Sequence, residues 1–299
     1  MAVSYASNDR YKKNVAAHSI VRLIICIIVT IICLLPIYIL IVNATRKSGD
    51  IISNGVSLIP GTNLIQNFKN LHDETIQNGS YTRAYNLLIG YRNSLIIAVC
   101  STVLTVFFSA LTAYGLVVYD FKLKKFATTF ILAMMMIPMQ VVSTGFLQFM
   151  VKIGLQDNYL PLILPSIAAP AVVFFMLQYM RSSFPLDIVE AARIDGCGEF
   201  RTFMQIALPI FQPAFAVQAI FAFVASWNNY YNPSMLLVSG KLEQRTMPMM
   251  VAAILGNDKL TDYGVNYLAV ALSIVPVVII YLCLSKFIIR GVTLGAVKG

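Results

Sequence analysis

Charged residues are so widely spaced along this chain that the intervals between them are its most regular pattern. Six windows, residues 23–45, 93–119, 126–151, 158–180, 202–240 and 263–285, hold no Asp, Glu, Lys or Arg, and none is shorter than 23 residues. A helix needs about 20 apolar residues to cross the hydrocarbon of a bilayer. The pattern therefore predicts an all-α chain with six transmembrane helices. The fifth window exceeds one crossing; its start reads as loop, and "NNYYNP" (Asn228 to Pro233) ends the helix. One other charge-free interval, 51–68, is interrupted by "SNG", "PGTN" and "QNF" and is too polar and broken to cross. The first window is longer than the apolar region of about 7–15 residues in a secretory signal, and no small-residue cleavage site follows, so it reads as a retained helix.

Composition agrees. The chain is 58% hydrophobic and 12% charged, with a mean hydropathy of +0.76, whereas soluble domains carry about 25% charged residues. A water-soluble core of this length cannot absorb that much apolar surface; lipid can replace the missing interior. The net charge of +9 does not point to nucleic acid, because no basic stripe with interleaved aromatics occurs. Basic residues instead belong at the cytoplasmic ends of spans. Thirteen of them fall on one side of the predicted membrane and nine on the other, which places both termini in the cytoplasm. The five cysteines, Cys26, Cys33, Cys100, Cys197 and Cys283, form no C-x-x-C pair; most lie in apolar runs and behave as small hydrophobes.

The windows are also free of histidine. Ion-coupled transporters keep a buried carboxylate or histidine as a relay, so proton-coupled transport is disfavoured. No metal-ligand or catalytic constellation appears, and the absence of G-x-x-x-x-G-K-[ST] means that ATP is not bound through a Walker motif. Energy for uphill transport would have to come from another polypeptide. The polar residues in or near the windows are amides: Gln140, Gln148, Gln178, Gln212, Gln218, Asn228 and Asn229. They suit a neutral, hydroxyl-rich ligand, and they equally serve to bond helix to helix. Pro138, beside Gln140, marks a helix irregularity.

Charge gathers instead in "SSFPLDIVEAARIDGCGEFRTFMQIALP" (Ser182 to Pro209). Ser182 or Ser183 can cap a helix, Pro185 suits its first turn, Asp187 favours its N-terminus, and Gly196 can end it in a left-handed conformation. Leu186, Val189 and Arg193 share one face and Ile188 and Ala192 another. Ala191 and Ala192 are small enough for a partner surface to approach closely. A second helical run, "EFRTFMQIALP", follows.

The spacing Glu190-Ala191-Ala192, three residues, Gly196, nine residues, Ile206-x-Leu208-Pro209 resembles the EAA signature of ABC importer permeases. "SWNNYYNP" (Ser226 to Pro233) resembles the S-W-N-D/E-[FY] stretch of sugar-importer permeases. "RGVTLGAVKG" (Arg290 to Gly299) resembles the end of the second, six-helix subunit of maltose-transporter-like permeases. With "RNSLIIA" (Arg92 to Ala98), the resemblance runs from about Asn93 onward. Asn229 departs from the usual acid, Cys197 and Gly198 from Ala-Ser or Ala-Gly, and the 43–92 loop matches weakly.

The resemblance implies a type I ABC importer permease fold. Residues 1–22 would be a cytoplasmic segment and 23–290 the six-helix domain, with external loops 43–92 and 229–264 and a cytoplasmic coupling loop 181–204. Residues 291–299 would be a cytoplasmic tail. It implies a carbohydrate importer in a bacterial cell membrane, with a second permease, an ATPase dimer that holds ATP and Mg, and an extracellular solute-binding protein that touches loop 229–264. This chain would bind no cofactor and have no catalytic residues. ATPase coupling would fall to Glu190, Ala191, Ala192, Asp195, Gly196, Ile206, Leu208 and Pro209, with Val297, Lys298 and Gly299 adding contacts. Gln140, Gln148, Gln178, Gln218, Trp227, Asn228 and Asn229 are candidates for the substrate pathway. The competing class is a stand-alone channel or facilitator for a neutral solute.

Overall fold

The computed structural model describes the backbone of residues 2–73, 85–256 and 262–296, with side chains except those of 2–18, 139–140 and 288–296. Within these residues every regular element is helical. Contacts divide the chain into two compact units, Met1–Asp73 with Asp258–Leu272, and Glu74–Asn257 with Ser273–Gly299.

The first unit is built around α1 (Ala2–Ala44). Its membrane window, Ser19–Ala44, has a mean hydropathy of 3.2 and no buried residue among its most apolar 18. Three short elements follow its end: α2 (Ser48–Asn54), α3 (Leu64–Asp73) and the first turns of the helix that starts at Tyr263. The last carbonyls of α1 have no partner of their own within the helix. Asn67, fully buried, donates from Nδ2 to the Ala44 and Arg46 carbonyls. Asn43, also fully buried, bonds Ser57 through both backbone groups and accepts from Arg46. Gly264 closes the arrangement, because a Cβ there would lie 2.4 Å from the Arg46 oxygen and 2.6 Å from Asn67 Nδ2.

The second unit is organised by α4 (Leu87–Val118). Eight of its twelve buried positions, Gly90, Ser94, Ala98, Ser101, Thr105, Ser109, Ala110 and Ala113, are small, which lets neighbouring helices approach closely. After α4 come α5 (Lys124–Met134) and α6 (Met139–Lys152), then α7 (Leu160–Ile163), which leads through a 3-10 turn at Leu164–Ile167 to α8 (Pro170–Ser183). Ser101 and Thr105 donate to the Leu162 and Ser166 carbonyls, pairing groups that the break between α7 and α8 would leave open. Next come α9 (Asp187–Ile194), α10 (Glu199–Thr202), α11 (Leu208–Ile210), α12 (Gln212–Trp227), α13 (Tyr231–Leu236), α14 (Met247–Leu255) and α15 (Tyr263–Ala296).

Six uninterrupted spans are not what the described residues give. Four stretches are long and apolar enough to cross: Ser19–Ala44, Leu87–Val118, Leu160–Ser183 and Tyr263–Phe287. Window 126–151 splits into α5 and α6 around Pro138, whose ring removes a donor and forces Ile137 out of helical geometry. The 11 and 14 residues of these helices reach only about 16 and 21 Å. The start of window 202–240 is helical rather than loop. It belongs to Glu199–Ile210, which meets Gln212–Trp227 at an 82° bend and supplies a fifth crossing if the pair is one span. That second helix stops at Trp227, as "NNYYNP" predicts, with Asn228 at its C-cap.

Candidate functional site

The segment from Ser182 onward forms a helix–turn–helix whose inner side is fixed in the core of the second unit. Phe184, Val189 and Phe203 are buried together with Tyr114, Met180 and Phe211. Phe203 packs on the Tyr114 ring at 5.2 Å between centroids, and Phe184 on Phe211 at 4.9 Å. Val189 and Ala192, one turn apart, are the buried stripe of α9.

Local chemistry sets the limits of α9. Ser182 and Ser183 do not cap it. The Ser182 hydroxyl donates back to the Tyr179 carbonyl and pairs with Ser183, so the serines finish α8, and Leu186 stands at the N-cap without a side-chain bond. At the other end Gly196 has φ +74°. Its N–H reaches the Arg193 carbonyl at 3.0 Å and the Cys197 N–H reaches Ala192 at 2.9 Å. This pair of bonds closes a helix when a residue without Cβ takes the left-handed conformation. Further on, Pro209 cannot donate to the Gln205 carbonyl. The chain widens into a π turn over Phe203–Ala207, with the Leu208 N–H bonded to Phe203 five residues back.

The two alanines have different fates. Ala192 is buried within the chain's own packing and only Ala191 is exposed, so close approach by a partner is available at Ala191 alone. Asp187, Glu190, Ala191 and Ile194 follow i, i+3, i+4, i+7 spacing and form one outward stripe. Ile194, to which the sequence pattern assigns no role, is 87% exposed. The carboxylates of Asp187, Glu190 and Asp195 form no bond with another described side chain. Of the remaining signature residues, Ile206 and Leu208 are half-buried and Pro209 is exposed.

Glu199 is committed elsewhere. It accepts from Arg193 Nε at 2.7 Å, from the second Arg193 nitrogen at 3.3 Å, and from the Tyr119 hydroxyl at 2.7 Å. The Arg193 guanidinium also lies 5.8 Å from the Tyr119 ring centroid. One carboxylate thus joins α9, the start of α10 and the residue just past α4. Burial, and then the bond to Glu199, hold the Tyr119 phenol above its ordinary range. Sequence reasoning misses this trio because position 119 lies 80 residues from its partner. Glu199→Gln is expected to release Arg193. Limited trypsin digestion of the purified chain should then cut after Arg193 several-fold faster, and an unchanged rate would show that the trio does not hold α9.

The candidate pathway residues are not brought together. Trp227 is 1% exposed, stacks on Phe223 and donates to the Ser273 carbonyl at 3.0 Å, which makes it a packing residue. Gln218 is buried on α12. Gln148, Gln178 and Asn228 are exposed on separate elements. Asn229 Oδ1 accepts from the Asn232 N–H and secures the first turn of α13. An apolar cavity of about 360 Å³ between α4, α12 and α15 includes Gln212 and none of these other amides. The side chain of Gln140, and Val297, Lys298 and Gly299, lie outside the described residues.

Comparison with known proteins agrees with this architecture. The family described as binding-protein-dependent transport system inner membrane component matches residues 105–294. The chain is 35% identical over 277 residues to the arabinooligosaccharides transport system permease protein AraQ of Halalkalibacterium halodurans, covering 91% of this chain and 93% of that one. It is 31% identical over 284 residues to the trehalose/maltose transport system permease protein MalG of Thermococcus litoralis, covering 94% and 97%. Among solved structures, a bacterial ABC transporter involved in import of the acidic polysaccharide alginate superposes with a TM-score of 0.73 at 21% identity, over 90% of this chain and 95% of that one. That likeness carries the fold.

Proposed function

Since the chain belongs to the family of binding-protein-dependent transport system inner membrane components, whose members are membrane permeases rather than enzymes, we propose that it is one permease subunit of an ATP-driven importer of neutral carbohydrate. The names of the relatives, arabinooligosaccharide and trehalose/maltose permeases, support the substrate class. The absence of ionisable residues from the six windows supports a neutral cargo and an external energy source. ATP and Mg would be held by a separate ATPase dimer, and both termini of this chain would be cytoplasmic in a bacterial cell membrane.

The observation that carries the reading is the two-sided character of α9. Its inner side, Val189 and Ala192, is locked into the second unit, while Asp187, Glu190, Ala191 and Ile194 face outward with no partner among the described residues. Such a helix transmits force applied to its outer side. An ATPase subunit would take Ile194 into an apolar recess, approach the backbone at Ala191, and offer a basic group to Glu190. ATP binding would draw two such helices together and switch the spans between inward- and outward-facing states. The difference in contacts between those states is what any such switch requires. Loop 229–264 would meet the solute-binding protein, and a second permease would complete the pathway. The unburied window of α1 suits contact with lipid and with that second permease.

The test is uptake by proteoliposomes that contain the chain, its second permease, ATPase and binding protein, with arabino-oligosaccharides and maltose as separate substrates. ATP-dependent uptake of either supports the reading. Failure with both overturns the carbohydrate assignment. Uptake by this chain alone, without ATPase or nucleotide, establishes the stand-alone facilitator instead.

A further inference from the structure

Residues 56–60, "VSLIP", follow α2 and run back along the end of α1. The Tyr38 hydroxyl donates to the Leu58 carbonyl at 2.8 Å. Asn43 bonds both the N–H and the carbonyl of Ser57, and the Thr45 hydroxyl accepts from the Gly61 N–H at 2.7 Å. Tyr38 lies six residues before the end of α1, about 9 Å along its axis. Helical side chains lean toward the N-terminus, so Leu58 sits at or below the level of the Tyr38 backbone. A crossing of about 20 residues begun after Arg22 ends near Val42, which is beyond Tyr38. The tip of this loop therefore lies at the depth of the acyl boundary, although the interval 51–68 is too broken to cross.

Two further features fit that depth. Irregular backbone survives against lipid only where its polar groups are paired internally. Here the Ser57 N–H and carbonyl, the Leu58 carbonyl and the Gly61 N–H are paired as above, while the Leu58 N–H and the Val56 and Pro60 carbonyls have no partner among the described residues and so suit the hydrated interface rather than the acyl core. The Ile59 N–H is held by the Ser57 hydroxyl, which in turn donates to the Ile59 carbonyl. Pro60 has no N–H to satisfy. The side chains at the tip are apolar and face outward: Val56 is 54%, Leu58 55% and Ile59 76% exposed. On α3, which starts beside Thr45 through the Asn63 N–H bond to its carbonyl, Ile65 and Phe68 extend the apolar surface. Gln66 falls on the polar side, and Lys69, one turn beyond Ile65, borders the apolar surface with a chain long enough to bring its ammonium to the headgroups. An apolar face beside a polar one is the pattern of a helix that lies in the membrane interface.

We propose that the Val56–Pro60 tip, flanked by Ile65 and Phe68 of α3, is an interfacial anchor that inserts into the lipid leaflet at the C-terminal end of α1. The occupant of this surface is phospholipid, and the anchor fixes the depth at which α1 emerges.

The experiment places the photo-crosslinker p-benzoylphenylalanine at Ile59, Ile65 or Gln66 of the full chain in its assembled transporter, held in nanodiscs of phosphatidylethanolamine and phosphatidylglycerol. Lipid adducts are expected at 59 and 65 at several times the yield found at 66. Adducts from 59 to a protein chain would show that a subunit covers the patch and overturn the proposal, as would equal lipid yields at all three positions. An independent variant, Ile59→Cys in a Cys197→Ser background, should react with a membrane-impermeant maleimide several-fold more slowly than Gln66→Cys. Equal rates place the tip in water and overturn the anchor even if the crosslinking variants fail to assemble.

Discussion

Glu190→Ala is expected to lower ATP-dependent carbohydrate uptake by roughly tenfold or more, the scale of one lost charge-assisted contact, while the chain still inserts and assembles its core. The separation of the two effects follows from position. The Glu190 carboxylate is exposed and makes no bond to a described residue, so its removal leaves the packing of α9 intact. That packing resides in Val189 and Ala192 on the opposite side. Helix propensity does not suffer either, since alanine is the best helix former. The comparison to make is uptake and ATP hydrolysis in the same proteoliposomes, with melting temperature as the control for folding. A large fall in uptake at unchanged melting temperature fits an outward docking contact. Unchanged uptake would remove Glu190 from the coupling interface, and a fall in melting temperature would mean that its role lies inside the chain.

Gly264→Ala should act in the opposite way, through structure first. A methyl group at this position would sit 2.4 Å from the Arg46 carbonyl oxygen and 2.6 Å from Asn67 Nδ2. Neither neighbour can yield easily. The carbonyl is backbone, and Asn67 is fully buried with its amide spent on the end of α1. Overpacking of this kind costs about 1–3 kcal/mol, with a further loss if the Asn67 bonds break. The expected result is a melting temperature several degrees lower and faster proteolysis within residues 46–63, measured on the purified chain in detergent. A melting temperature equal to that of the parent chain would show that the first turn of α15 moves aside at no cost.

The parts of this fold that were legible in the sequence are those governed by one residue or by a long average. Charge-free windows located the four long spans, because a charge is costly to desolvate in lipid; the breaks at Pro138 and at the 82° bend lie inside such windows and carry no charge to mark them. Gly196 announced its own role, since few residues other than glycine take φ +74° at low cost. What escaped depends on relations between distant residues or on small local choices. Nothing in the sequence places the Tyr119 hydroxyl on Glu199, because that bond needs α4 to end beside α10. Ala191 and Ala192 are chemically identical, and only the 100° between them on the helix decides that one is buried and the other open. Pro138 signalled an irregularity, but whether a proline kinks a helix or divides it depends on neighbours that satisfy the freed carbonyls. The amides suited either a hydroxyl-rich ligand or bonds between helices; among the described ones Asn229 secures a turn, Gln218 is buried, and Gln148, Gln178 and Asn228 lie exposed on separate elements.

The π turn before Pro209 also changes how the spacing of the signature is to be understood. A bond from Leu208 back to Phe203 spans five residues, so the turn holds one residue more than an ordinary helix would. Each residue of helix rotates the chain by about 100°. The bulge takes up one residue without disturbing the phase beyond it, whereas a residue gained or lost in an ordinary turn would rotate everything that follows by that angle, including Phe211, which is fully buried at the 82° bend. Length in this stretch is therefore a form of aim. The nine residues between Gly196 and Ile206 measure out a rotation, and the chain can exchange side chains within them far more freely than it can gain or lose one.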